Sequence, residues 1–187
     1  VTHDKKTDLR VRRTRANLQR AFLELMYEKG FQAVTVQDIA DRAMVNRATF
    51  YDHFVDKYAL MEYTFHEEFK SALAKKSPET LTYSDENLSL LILTVCEFMG
   101  NTYEHCSQTD KQLVLVFEVQ LITLLKEILM GWFKEPTREL SITIASWAIY
   151  GAVQHWLESD PRVETDKLIH QALPLIRGII TGTPVNS

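Results

Sequence analysis

Between Val45 and Lys57 the chain reads VNRATFYDHFVDK, which gathers an arginine, a threonine, a tyrosine, a histidine and a lysine in one short stretch. Two kinds of chemistry are open to such a set. The first is catalysis, with His53, flanked by Asp52 and Asp56, as a general base. A base of that kind needs a nucleophile or a convergent acid, and no Ser or Cys lies beside it. The six histidines are scattered, with no HExxH and no i, i+4 pair, and no phosphate-loop motif occurs. Neither an enzyme nor a resident metal or cofactor is expected. The second is recognition. Arg47 can pair with guanine O6 and N7, and Ala48 and the Thr49 methyl can meet a thymine methyl. Tyr51, His53, Lys57 and the N–H groups at helix starts suit phosphates.

Recognition requires these side chains to share an exposed face, and the local sequence supplies one. VTVQDI puts Thr35 at an N-cap with Asp38 three residues on, a capping-box variant, and Val34 and Ile39 at the two ends of a hydrophobic staple. VNRATF repeats the device with Asn46 as the cap and Val45 against Phe50. VDKYAL repeats it again with Asp56 and with Val55 against Leu60. Each cap contributes about 1 kcal/mol. Together they predict helices over 36–43 and 47–53 and a third from 57 onward. Ala43 to Val45 join the first two at the spacing of a helix-turn-helix, whose second helix enters the major groove. Ile39, Ala40, Val45, Phe50 and Phe54 then point inward, which leaves Arg47, Ala48, Thr49 and Tyr51 outside. Upstream, Leu18, Ala21, Phe22, Leu25 and Met26 follow helical spacing, so 9–29 is predicted as an amphipathic helix closed by Gly30.

Residues 13–60, RTRANLQRAFLELMYEKGFQAVTVQDIADRAMVNRATFYDHFVDKYAL, resemble the DNA-binding domain of the TetR family of bacterial transcriptional regulators. The resemblance rests on GF–x3–TVxDIAxxA, on ATFYxHF and on a lysine three residues after that phenylalanine. It implies an all-α homodimer, with a three-helix helix-turn-helix head over 1–56 and a helical ligand-binding and dimerisation body over 57–187. It puts Thr35, Tyr51 and Lys57 on phosphates, and Arg47, Ala48 and Thr49 on bases. With Gln37, Asn46 and His53 these make up the expected DNA-binding set. The implied activity is that of a repressor released from a palindromic double-stranded DNA operator by a small-molecule effector. The alternative is a regulator with the same head whose body binds a protein partner. One residue departs from the family pattern: Met44 stands where a small residue, commonly Gly, is usual. If the backbone there needs a positive φ, Met costs about 1–2 kcal/mol.

The bulk composition is consistent with this division. Residues 1–57 carry 11 Lys and Arg against 8 Asp and Glu, and residues 58–187 carry 10 against 17. A basic head on an acidic body points to a polyanion partner at one end only. Scarce Gly (6) and Pro (5) argue for long helices. They are predicted over 57–75, 85–103, one or two within 107–134, from Pro136 to about Ser159, and over 163–181, the last loosened by Pro174 and Gly178. Residues 140–157 lack Asp, Glu, Lys and Arg, yet hold Ser, Thr, Gln and His, so they read as a helix buried in protein and not in a membrane. Ala145, Ala148 and Ala152 give that helix a stripe for close packing, and the family resemblance makes it a subunit interface within a four-helix bundle. A ligand pocket wants a few polar groups among apolar walls, which selects polar-tipped Tyr103, Trp147 and Tyr150, with Phe117 as a candidate apolar wall. Cys96 and Cys106 form no CxxC pair, so free thiols and a cytoplasmic setting are expected.

Overall fold

The computed structural model describes residues 2–77, 82–105, 111–133 and 138–182, with side chains over 9–77, 82–101, 116–133 and 138–182. Eight helices and no strand occur among the described residues: α1 (Thr2–Lys29), α2 (Val36–Arg42), α3 (Arg47–Tyr51), α4 (Lys57–Lys76), α5 (Asp85–His105), α6 (Lys111–Trp132), α7 (Glu139–Glu158) and α8 (Thr165–Thr181). The all-α expectation therefore holds. The chain forms two compact units, residues 1–67 and 68–187, which divide inside α4.

In the first unit, Leu18, Ala21, Phe22 and Leu25 of α1 are buried, as their spacing predicts. The helix starts earlier than residue 9, because its polar first turns carry no apolar rhythm from which a start could be read. It ends at Gly30, whose φ of 77° lets its N–H reach the Met26 carbonyl at 3.0 Å. α2 opens on a complete capping box. Thr35 Oγ1 accepts from the Asp38 N–H at 3.1 Å, and Asp38 Oδ2 accepts from the Thr35 N–H at 2.8 Å. Val34 and Ile39 are both buried, so the staple closes. α3 opens on Asn46, whose Oδ1 accepts from the Thr49 N–H at 2.7 Å. This helix is shorter than the predicted 47–53. Asp52 caps it, while the His53 and Phe54 N–H groups both turn back to the Phe50 carbonyl, at 3.0 and 2.9 Å. The third staple does not form. Asp56 Oδ1 does accept from the Ala59 N–H at 2.8 Å, but Val55 is 79% exposed and cannot pack on buried Leu60.

In the second unit α7 lies at the centre, packed against α6, α8 and α5, and α5 also meets α8. Its buried face is Ile142, Ala145, Ser146, Ile149, Val153 and Leu157. Ser146 is fully buried and satisfies its hydroxyl by donating to the Ile142 carbonyl at 2.8 Å. The uncharged stretch is thus one side of a protein core, and no helix of the described residues is long and apolar enough to cross a membrane. α6 is continuous over Lys111–Trp132, a single helix where one or two were expected. Pro136, expected to open α7, lies outside the described residues. α8 runs through Pro174 and stops where Gly182, at φ 70°, bonds to the Gly178 carbonyl at 2.9 Å.

Candidate nucleic-acid interface

α3 sorts its residues as recognition requires. Phe50 is fully buried, whereas Arg47, Ala48 and Tyr51 are exposed and Thr49 is half-buried. Arg47 and Tyr51, one helical turn apart, hold each other: Nη2 donates to the Tyr51 hydroxyl at 3.0 Å, and the guanidinium carbon lies 5.5 Å from the ring centroid. One of five guanidinium N–H groups is used in that bond, which aims the fork without exhausting it. Asn46 is exposed, with its carbonyl oxygen taken by the cap.

At the start of α2, Thr35 and Gln37 are exposed. Thr35 also donates its hydroxyl to Asp38 Oδ2 at 2.5 Å, and Lys29 Nζ holds the same carboxylate at 2.8 Å. The Lys29 and Thr35 bonds keep the Asp38 carboxyl far below the usual carboxylate range. Gln37 Nε2 donates to Asp41 at 2.8 Å. Arg42 grips Glu28 through two N–H groups, at 2.8 and 2.7 Å, and Glu24 at 3.2 Å, which ties α2 to α1.

Residues 20–64, which cover the end of α1, all of α2 and α3 and the start of α4, match the family of bacterial regulatory proteins called tetR. These residues form a DNA-binding domain of the TetR family. It is 43% identical over 60 residues to the uncharacterized HTH-type transcriptional regulator YxbF of Bacillus subtilis, a match covering 32% of this chain and 16% of that protein. It is 26% identical over 122 residues to the HTH-type dhaKLM operon transcriptional activator DhaS of Lactococcus lactis, covering 65% of this chain and 64% of that one. The matches thus span less than two thirds of either relative's length. The crystal structure of RolR in complex with resorcinol shares the fold, with TM-score 0.59 and 18% identity over 96% of this chain and 98% of that one.

Within this TetR-family head, two residues expected at phosphates also have neighbours inside the protein. Lys57 turns inward: its ammonium donates to the carbonyls of Phe31, Gln32 and Val34 at 3.0, 3.2 and 2.9 Å. His53 is half-buried against Phe54, and burial, with Arg15 acting the same way, holds its imidazole below the usual range while Asp52 opposes. Arg15 is the residue that pattern reading missed. Its guanidinium carbon lies 5.7 Å from the Phe54 ring centroid and 5.5 Å from that of Tyr63. The signal was present, because Arg15 shares the i, i+3, i+7 register of Leu18 and Phe22 on the core-facing side of α1.

Of the expected ligand-binding residues, Trp147 and Tyr150 meet edge to face with ring centroids 6.5 Å apart. Trp147 is 52% exposed on α7, against the expectation of a buried pocket wall, because the core-facing register of that helix passes through Ala145, Ser146 and Ile149. Phe117 on α6 and Tyr150 on α7 are half-buried, and the side chain of Tyr103 lies outside the described residues, as does Cys106. Of the three stripe alanines, Ala145 is buried and Ala148 and Ala152 are half-buried. Cys96 is buried, and desolvation pushes its thiol up to about 12. Among the described residues no cluster of His, Cys, Asp and Glu could hold a metal ion.

Proposed function

We propose that the protein is a dimeric, sequence-specific DNA-binding transcriptional regulator, a repressor released from a palindromic operator by a small molecule. The observation that carries the reading is α3: a capped short helix that buries Phe50 and presents Arg47, Ala48, Thr49 and Tyr51 on the opposite side. Such a face has the donors and methyls that read base edges in a major groove. Support for a dimer comes from the second unit. Leu140, Ile144 and Trp147 of α7 are 72%, 47% and 52% exposed and line one side of the helix, and Leu175 of α8 is 56% exposed. An apolar stripe left open on a packed helix is the usual substrate for a self-complementary contact.

A small effector is favoured by Gln120 on α6, whose side-chain oxygen is buried with no partner among the described residues, one helical turn from Phe117. A pocket presents such a polar atom among apolar walls, and RolR, of the same fold, holds resorcinol. An effector of this kind releases DNA only to the extent that it binds the DNA-free form more tightly. Activation is the second reading, favoured by the relationship to DhaS, a transcriptional activator.

The test is enrichment of bound duplexes from a random pool by the full chain, followed by binding at several salt concentrations. A palindromic consensus with steep salt dependence is expected. Arg47→Ala should relax preference at one position of each half-site and cost about 1–3 kcal/mol. A chain that enriches nothing and shows no salt-sensitive binding to fragments upstream of its own or neighbouring genes sinks the reading. A reporter placed behind the consensus decides repression against activation.

A further inference from the structure

We propose that Tyr51 determines specificity as the positioning residue of Arg47: its hydroxyl aims the guanidinium at a base, so that the base preference set by Arg47 depends on Tyr51 as well. The proposal deepens, and rests on, the DNA-binding reading of the head.

Arg47 opens α3 and Tyr51 closes it, one helical turn apart on the face that Phe50 leaves exposed. Nη2 of Arg47 donates to the Tyr51 hydroxyl at 3.0 Å, with the guanidinium carbon 5.5 Å from the ring centroid. Tyr51 is itself fixed from behind. Its ring meets that of fully buried Phe50 edge to face, with centroids 5.5 Å apart and planes at 88°. Phe50 in turn packs against the ring of Phe54, with centroids 6.0 Å apart. A chain of contacts thus runs from the core of the head through one aromatic ring to an exposed cation. Arg47 on its own has the rotamer freedom of a long solvated side chain, and ordering it on binding costs affinity. The hydroxyl removes part of that freedom before any DNA arrives.

The kind of partner matters. Arg42, on the preceding helix, is held by the carboxylates of Glu28 and Glu24, which engages its charge inside the protein. Among the described residues Arg47 makes no ion pair, and its partner is a neutral hydroxyl. Its positive charge therefore stays available. So do four of the five guanidinium N–H groups, and a pair of them can meet O6 and N7 of a guanine together. The hydroxyl only accepts from Arg47, so it keeps its own proton and can donate it to a phosphate oxygen at the same time. A cation donating to the oxygen strengthens that donation. A backbone contact and a base contact then share one hydrogen-bonded unit, and losing the hydroxyl removes the aim of Arg47 together with the phosphate bond.

A double-variant cycle tests this. Tyr51→Phe, Arg47→Ala and the double variant are made in the full chain and checked for folding by circular dichroism. Tyr51→Phe keeps the ring on Phe50 and removes only the hydroxyl. Binding is measured to the duplex enriched by the unaltered protein and to duplexes altered one base pair at a time. Arg47→Ala identifies the base pair that Arg47 reads, as the one whose alteration no longer matters. Tyr51→Phe should lower discrimination at that base pair roughly tenfold, equivalent to about 1.4 kcal/mol, a coupling ordinary for residues in contact. Discrimination at other base pairs should hold. In the Arg47→Ala background, removing the hydroxyl should change affinity for all duplexes alike. The slope of log K against log salt should stay unchanged in Tyr51→Phe, because the hydroxyl carries no charge. A Tyr51→Phe variant that weakens every duplex equally, with discrimination at the Arg47 position intact, would mark a phosphate contact alone and overturn the proposal. So would an Arg47→Ala variant that keeps every base preference. Should Tyr51→Phe not fold, 15N relaxation of the Arg47 Nε–H in the unaltered chain gives the answer. A guanidinium ordered before DNA is added supports the proposal, and one as mobile as a fully solvated arginine refutes it. Absence of salt-sensitive binding by the unaltered chain is a separate result, which sinks the DNA reading itself.

Discussion

Met44 is the residue at which backbone and side chain disagree most openly. Its φ is 55°, in the left-handed region that favours glycine, and its side chain is 88% exposed, so no buried contact offsets the conformation. The left-handed backbone costs a residue with a Cβ about 1–2 kcal/mol, and an unfolded glycine regains about 0.4–1 kcal/mol through its extra freedom. Met44→Gly should therefore stabilise the protein by about 0.5–1 kcal/mol in a urea titration, and no gain would mean the strain is relieved locally. His53 makes the second residue-scale prediction. Burial and Arg15 lower its pKa in the folded chain, while Asp52 opposes them. The unfolded chain then takes up a proton that the folded chain resists. Stability is full above the ordinary imidazole range, near 6.5, and falls as pH drops through it towards the folded value. The melting temperature of the unaltered protein should drop more between pH 8 and pH 5 than that of His53→Gln, and parallel curves would sink this account.

At the scale of elements, the head is a set of short helices that would not persist alone. α3 has five residues, well below the length at which an isolated helix is stable in water. Its cap and its burial of Phe50 hold it in place. Asn46→Ala frees the Thr49 N–H that Oδ1 now accepts, and should lower stability by about 1 kcal/mol. The melting temperature should fall while far-ultraviolet dichroism at 25 °C stays near its present value, and an unchanged melting temperature would show the cap to be idle. The caps of α2 and α3 could be read directly from sequence, because a capping box links residues three apart. The length of α3 could not, because it ends where the chain turns to seat Phe54 in the core. The staple expected at Val55 fails for a related reason: the spacing is right, but the turn into α4 leaves that side chain in water.

For the molecule as a whole, the open question is what covers the outer side of α7 and α8. Leu140, Ile144, Trp147 and Leu175 are all exposed there. Composition had drawn attention to the uncharged stretch 140–157, and burial now divides it between an inner face, closed over Ile142, Ala145, Ile149 and Val153, and an outer apolar stripe. If that stripe is the dimer contact, the double variant Ile144→Glu and Trp147→Glu should sediment as a monomer. Its loss of two-headed binding should weaken affinity for the enriched duplex by roughly 100-fold or more. A variant that still sediments as a dimer would place the contact elsewhere.

By itself the sequence determined what depends on near neighbours along the chain. That covers the caps at Thr35 and Asn46, the sorting of Phe50 from Arg47, Ala48 and Tyr51, the glycine stop at Gly30 and the odd position of Met44. Each follows from groups within four residues of one another, where helix geometry leaves few alternatives. Only the tertiary structure decided where Lys57, Arg15 and Trp147 point. Lys57 meets carbonyls up to 26 residues away, and Arg15 meets rings on segments that the chain reaches much later. A long cationic side chain can satisfy itself on a phosphate, a carbonyl or a ring face with similar ease. Which of these lies within about 3 Å is settled by packing of distant segments, and no local pattern encodes it.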